Sequence, residues 1–334
     1  MRTTAAFCAA IAVLAPLAAS AEPIELKYAY PGAPQAFIYT EAMVPWAAQV
    51  TKESGGTIEV KLFVGMSLAA PNNVLDRILN GVAQMGYMLV GLYPQQFPRS
   101  TVAMLPYESR NPQEAALANW RLYEKGVFGD EFQKVMPLAM PVFTNMSVHS
   151  KKPIRVMADL KGVKVASMSR TMSEVIDKLG GTPITMPPAD FYSSLQRGTV
   201  DAAGIGWPGI APFKLNEITS FHVQTSLTGE GAHQIMSRDA YAKLPQKGKE
   251  TLDRLGGLYY TKAYAQAIQH MDDQGIAMTK AVPGQTIVTL APDEEERWRQ
   301  RAQAVVQDWV SKTPDGAKVL AAYRAELAKI KGGM

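Results

Sequence analysis

The sequence predicts an α/β fold of two lobes with a cleft between them and a long connecting helix. Three observations lead there. Strand-like and helix-like segments alternate through residues 24–90 and again through 150–230, the pattern of parallel sheets covered by helices. The last third is mostly helical and contains one unusually long apolar-periodic stretch. Beyond an N-terminal leader the chain holds no cysteine, so burial alone must stabilise it, which about 310 residues can supply in two units.

The first α/β unit opens on Ile24 to Tyr30, where Ile24, Leu26, Tyr28 and Tyr30 share a strand face. Pro31-Gly32-Ala33-Pro34 breaks it. A helix is predicted over 37–54, ended by Gly55-Gly56. A strand over 57–64, a helix over 72–80 stopped by Gly81 and a strand over 85–90 complete it.

The middle repeats the theme. A strand is expected over 139–148 and another beginning near Val163, then a helix over 171–179 closed by Gly180-Gly181. A strand over 183–186, a helix over 190–197 and a strand over 200–205 follow. Residues 246–282 read as a long helix that Gly256-Gly257 must interrupt, a spine between the lobes. Pro292 opens the next helix, with Asp293, Glu294, Glu295 and Glu296 at its positive end. A last helix runs over 316–331. The division expected is 22–145 with 232–271 as one lobe, and 146–231 with 272–334 as the other, after a signal peptide over 1–21.

That leader combines Arg2, an apolar run over 5–18 and a small-x-small site at Ala19-Ser20-Ala21, so cleavage before Glu22 and export to the periplasm are expected. Cys8, the only cysteine, would leave with it, removing disulfide and cysteine–metal chemistry. The formal charge of +4 is too mild, and too interleaved with acids, to point to nucleic acid. Histidines 149, 222, 233 and 270 form no metal-binding spacing. No metal or cofactor is expected.

Gly204-Ile205-Gly206-Trp207-Pro208-Gly209 matches G-x-G-x-x-G by letter. Pro208 and the residues after it do not open the clean helix a pyrophosphate site needs. The segment reads as a strand-end loop from which Trp207 projects. Gly65-Met66-Ser67-Leu68-Ala69 half-resembles a nucleophile elbow but lacks the second glycine, which leaves a serine hydrolase using Ser67 as an alternative. Asp272-Asp273 and Glu294 to Glu296 read as solvated helix charge. Tyr30, Tyr87, Tyr93, Trp207 and Phe221 fall at strand ends, where open α/β sheets bind ligands. As a set they favour a cleft closing on an organic solute.

The ordered motifs resemble the periplasmic substrate-binding subunits of tripartite ATP-independent periplasmic (TRAP) transporters. The resemblance rests on Glu53-Ser54-Gly55-Gly56-Thr57-Ile58-Glu59-Val60, the stretch Asp76 to Gly86, and Asp159-Leu160-Lys161-Gly162-Val163-Lys164. It extends to Leu179-Gly180-Gly181-Thr182-Pro183, Asp190-Phe191-Tyr192 and Leu195-Gln196-Arg197-Gly198-Thr199-Val200-Asp201. It implies a monomeric, non-catalytic receptor that closes on one small organic molecule and delivers it to membrane permease subunits. The binding subunit of an ATP-driven importer shares the two-lobed plan.

The resemblance also implies a pair of carboxylate-binding arginines, and both positions depart: Ala166 stands at one and Met146 at the other. The asparagine after the last motif is replaced around Gly204 to Gly206. Truncating one partner of a desolvated ion pair costs about 2–5 kcal/mol, so a different clamp is expected. One solution is a neutral or cationic ligand on the faces of Trp207 and Tyr30, with Glu41 or Glu230 as counter-charge. The other keeps an anion and moves the clamp to Arg170, ahead of the helix over 171–179. The residues expected at the ligand are Tyr30, Phe37, Gly65, Met66, Tyr87, Met88, Met146, Ala166, Ser169, Arg170, Phe191, Trp207 and Glu230.

Overall fold

A computed structural model describes residues 22–333; the leader and its cleavage site lie outside the described residues. Its strands are β1 (Ile24–Tyr30), β2 (Ile58–Val64), β3 (Met85–Leu89), β4 (Val135–Ala139), β5 (Val142–Ser150), β6 (Lys164–Ser167), β7 (Thr182–Thr185), β8 (Ala202–Ile205), β9 (Phe221–Gln224), β10 (Thr228–Ser237) and β11 (Thr286–Thr289). Its α-helices are α1 (Val44–Glu53), α2 (Val74–Leu79), α3 (Pro112–Glu124), α4 (Arg170–Lys178), α5 (Phe191–Gln196), α6 (Arg238–Ala242), α7 (Gln246–Leu255), α8 (Gly257–Ala281), α9 (Pro292–Lys312) and α10 (Gly316–Lys331).

The strands run in the order β2-β1-β3-β10-β5-β8-β6-β7, with β4 beside β10 and β9 joining β5 to β11. The two predicted units are the parallel ends of this order. β1 is parallel to β2 and β3, and β6 is parallel to β7 and β8. Between them run two antiparallel strands that belong to both units. The second part of β10 pairs with β3 and β4, and its first part with β5. The far end of β5 pairs with β8 and β9.

The strand expected over 139–148 is therefore two strands, β4 and β5, parted at Met140-Pro141. Proline carries no N–H for a ladder, yet its carbonyl still accepts from the Ala232 N–H at 3.0 Å. α3, β9, β10 and β11 were not anticipated from sequence. α3 has a plain local cause: Asn111 caps it by accepting from the N–H groups of Gln113 and Glu114, and Pro112 occupies its first turn.

Each sheet region is covered on both faces. In the first lobe one core joins Val74, Ile78 and Met88 to Leu122 of α3 and to Val319 and Tyr323 of α10. The opposite core joins Tyr28, Trp46 and Ile58 to Leu252, Tyr260 and Tyr264. In the second lobe one core sets Val148, Val165 and Ile176 against Trp298 and Val305 of α9, and the other gathers Ala166, Phe191, Ala203 and Trp207. α10, grouped by the sequence with the second lobe, packs in the first-lobe core. The spine is as predicted: α7 stops at Gly256, and α8 continues for 25 residues. Its Tyr264 and Ile268 enter the first lobe, while Ile276 packs in the second.

Candidate ligand-binding site

The lobes face each other where β3, the crossing strands and the start of α4 converge. A cavity of about 430 Å³ lies there, walled by Gly91, Gln95 and Met104 from the first lobe and by Arg170, Thr171 and Glu174 of α4, with Asp308 and Lys312 at the end of α9. That volume falls within the roughly 300–1,000 Å³ of small-molecule pockets.

Behind Gly91 sits Glu230, 4% exposed, on the crossing strand β10. Its Oε1 accepts the Gly91 N–H at 3.3 Å. Burial pushes this carboxyl up to about 8, and the single backbone N–H offsets it only in part. A Cβ on residue 91 would lie 2.7 Å from Met104 Cε and 2.9 Å from Glu230 Oε1, so any larger residue there would have to push these two side-chain ends aside.

The same crossing region carries the tyrosines that end the first-lobe strands. Tyr30 meets Tyr87 edge-on at 5.3 Å between ring centres and stacks on Tyr39 at 5.6 Å. Burial pushes the Tyr30 phenol up to about 12 and Tyr87 higher still, with Glu230 close enough to add to the effect on Tyr87. Tyr28 donates to Gln234, two turns of the strand ladder beyond Glu230 on the same face. The Tyr264 hydroxyl is buried without a hydrogen-bond partner, and the Tyr260 hydroxyl sits beside that of Tyr28. These tyrosines and Glu230 lie behind the residues that line the cavity, in a layer rich in hydroxyls, and among the described residues no cation acts on the Glu230 carboxyl.

From the second lobe, Ser169 caps α4 by accepting the Met172 N–H at 3.2 Å. Arg170 follows with its side chain 70% exposed and its Nε on Glu174 Oε1 at 2.8 Å. It lines the cavity, but its charge is already paired along the helix.

The remaining predicted contacts fall elsewhere. Gly65, at φ +62°, turns the chain after β2, and Met66 beyond it is 74% exposed. Phe37 packs edge-on against His270 at 4.9 Å. Met88 belongs to the first-lobe core; Ala166 and Phe191 belong to a second-lobe core. Met146 is buried on β5, its sulfur beside Gly206. Glu41 is exposed.

Trp207 does not project as expected. It is buried in a short helical turn, edge-on to His149 at 5.1 Å and tilted on His222 at 5.8 Å. Its carbonyl lies against α8, where a Cβ on residue 275 would come within 2.5 Å of it.

The two histidines that look scattered in sequence meet. Their Nδ1 atoms are 3.0 Å apart; His149 Nε2 donates to the Ile205 carbonyl at 3.0 Å, and His222 Nε2 bonds Gln285 Oε1 at 2.6 Å. Burial pushes His149 down to about 3 and lowers His222. Pairing of β5 with β9 aligns them, a register that residue spacing does not reveal.

Asp272 was read as surface charge and is instead 1% exposed. It accepts from Asn145 Nδ2 at 3.0 Å, and burial pushes it up to about 7. The signal was present: Ile268, Asp272, Gly275 and Thr279 recur at helical spacing and form the buried stripe of α8. Glu294 is likewise buried, accepting from the Met157 N–H, Trp298 Nε1 and Arg297.

Ser67 donates its hydroxyl to the Val64 carbonyl at 2.9 Å, while His149, His222, His233 and His270 bond other groups. No triad forms among the described residues. They contain no group of three or more potential metal ligands, and no helix long and apolar enough to cross a membrane.

Comparison with known proteins agrees with this geometry. The outer membrane transporter protein TsaT of Comamonas testosteroni is 27% identical across 97% of both chains. A TRAP solute-binding protein of Rhodoferax ferrireducens T118, solved with copurified benzoate, is 27% identical, with a TM-score of 0.85 over 92% of this chain and 98% of that one. A TRAP periplasmic solute-binding protein of Bordetella bronchiseptica, solved with (R)- and (S)-mandelate, is 23% identical and shares the fold, with a TM-score of 0.83 over 92% of this chain and all of that one. The model of the bacterial extracellular solute-binding proteins, family 7, matches residues 30–313. The chain therefore belongs to this family, DctP, the non-enzymatic solute-binding proteins of TRAP transport.

Proposed function

We propose that this protein is an extracytoplasmic receptor that captures a small organic acid, preferentially an aromatic one, and hands it to TRAP permease subunits. The observation that carries this reading is the cavity walled by both lobes, with Gly91 and Met104 on one side and Arg170 and Thr171 on the other. A solute touching both walls stabilises the closed arrangement over the open one. The benzoate held by the Rhodoferax relative favours an acid with an aromatic ring, and the lining of Met104, Trp309, Pro94 and Pro98 offers apolar contact to such a ring.

In this reading Ala166 and Met146 stand where relatives carry arginine, and the acid is held without that pair. Arg170 approaches from the rim at the start of α4. The moving bodies are the lobes at the boundaries expected from sequence, except that α10 travels with the first lobe. The mature protein begins at Glu22 in the periplasm; N-terminal sequencing of exported protein checks this, and a start at Met1 contradicts it.

The ligand class is tested by isothermal titration with benzoate, 3-hydroxybenzoate and mandelate beside ectoine, choline and a polyol. Binding of the aromatic acids is expected. Binding confined to the amines or polyols overturns the reading.

A further inference from the structure

Glu230 is the ionisable group best placed to replace a missing arginine. It stands on β10 where that strand passes from one lobe to the other, opposite Phe143 of β5. It touches Gly91 and approaches Met104, both of which wall the cavity. Its bonding is incomplete: Oε1 holds one backbone N–H at 3.3 Å, and among the described residues no side chain donates to either oxygen. A buried carboxylate left with one long bond is costly, whereas a neutral carboxylic acid carries an O–H to donate.

The surroundings favour the neutral acid. β3 brings Tyr87, with Tyr30 of β1 behind it, and both phenols are held neutral by burial. β5 brings Phe143 and the 100–104 turn brings Met104, neither of which titrates. Across the cavity Arg170 is tied to Glu174, and the nearest buried acid on α8, Asp272, is bound to Asn145. Burial accordingly pushes Glu230 up to about 8.

We propose that Glu230 presents a carboxylic O–H to the carboxylate of the bound organic acid, the two carboxyl groups sharing one proton in place of an arginine clamp. This rests on the ligand class proposed above. An O–H···O⁻ bond between carboxyl groups is short and among the stronger hydrogen bonds available. Binding then requires that Glu230 hold its proton, and a bound anion holds it more firmly. The sign follows. Below about pH 8 the free protein already carries the proton, and affinity is flat. Above it, a proton must be taken up with each ligand, and affinity falls about tenfold per pH unit.

The test is titration of the full chain with sodium benzoate from pH 6 to 9.5, repeated at pH 9 in two buffers of different ionisation enthalpy. Expected are a constant Kd from pH 6 to 7, a rise of about tenfold per unit above pH 8, and uptake of nearly one proton at pH 9. Glu230→Gln, whose amide still donates, is expected to bind with a Kd that no longer changes with pH. A wild-type Kd flat across the range, or the same slope in Glu230→Gln, overturns the proposal. Should Glu230→Gln fail to fold, the buffer dependence of the wild type decides alone. Failure of every aromatic acid at every pH, with another solute class bound, overturns the ligand reading itself; benzoate binding without proton uptake overturns only the role of Glu230.

Discussion

The two lobes treat their buried polar groups in opposite ways. In the second lobe, His149, His222 and Gln285 are strung together between the carbonyls of Ile205 and Asn216 and covered by Trp207; because both Nε2 atoms donate outward, the Nδ1–Nδ1 contact is bridged only when one imidazole carries a second proton. In the first, the Tyr264 hydroxyl lacks a partner and Glu230 holds a single long bond. Polar groups strung together hold one another in place, whereas an isolated buried polar group is costly until something arrives to pair with it. In the proposed reading, the groups left for a ligand to pair with lie on the first lobe and the strand that leaves it.

Removing the seal breaks this contrast most severely. Trp207→Ala opens a hole around the histidine string and under α8, and a loss of about 3–5 kcal/mol is expected in denaturant unfolding. A loss below about 1 kcal/mol would mean the string holds itself.

Gly91→Ala acts on the receptive side. The added methyl meets Met104 and Glu230, an overpacking expected to cost about 1–3 kcal/mol. Acid affinity should fall further than stability does, read by titration and thermal unfolding of the same variant.

Asp272 gives a graded effect. Its folded pKa, about 7, lies above the ordinary carboxylate range, so the folded state binds the extra proton. Its contribution favours folding below the unfolded pKa and is lost as pH rises through about 7. Asp272→Asn should therefore flatten stability between about pH 4 and 7 and stabilise by about 1–2 kcal/mol above that window. A steeper decline in the variant would reverse the assignment.

Arg170→Ala is the smallest change. Its i,i+4 pair with Glu174 is exposed, so stability should move by less than about 0.5 kcal/mol. Acid affinity should weaken severalfold if Arg170 reaches the ligand from the rim, and an unchanged Kd removes it from the site.

The parallel parts of the fold were legible because each strand there has a helix and a glycine stop beside it, as at Gly55-Gly56 and Gly180-Gly181. The crossing strands were not. β10 is buried along nearly its whole length, from Thr228 to Met236, so it shows no two-residue alternation and reads as neither strand nor helix. Of the cavity's lining, Arg170 was legible, because it stands at the start of a recognisable helix. Tyr30 and Tyr87 stand at the ends of recognisable strands, but the environment of Glu230 depends on a strand the pattern hides. Asp272 was misread because two adjacent acids suggest solvent, although helical spacing turns one inward and the other outward.

The helix α8 is about 37 Å long at 1.5 Å per residue, gripped by Tyr264 and Ile268 at one end and by Gly275 against the Trp207 carbonyl toward the other. A rod held in both bodies resists being lengthened far more than it resists being tilted. In the proposed closing motion the close Gly275–Trp207 contact would serve as the pivot. The helix supplies none of the cavity's walls, so a larger side chain at residue 275, pressed on the Trp207 carbonyl, is expected to change the spacing of the lobes without touching the ligand.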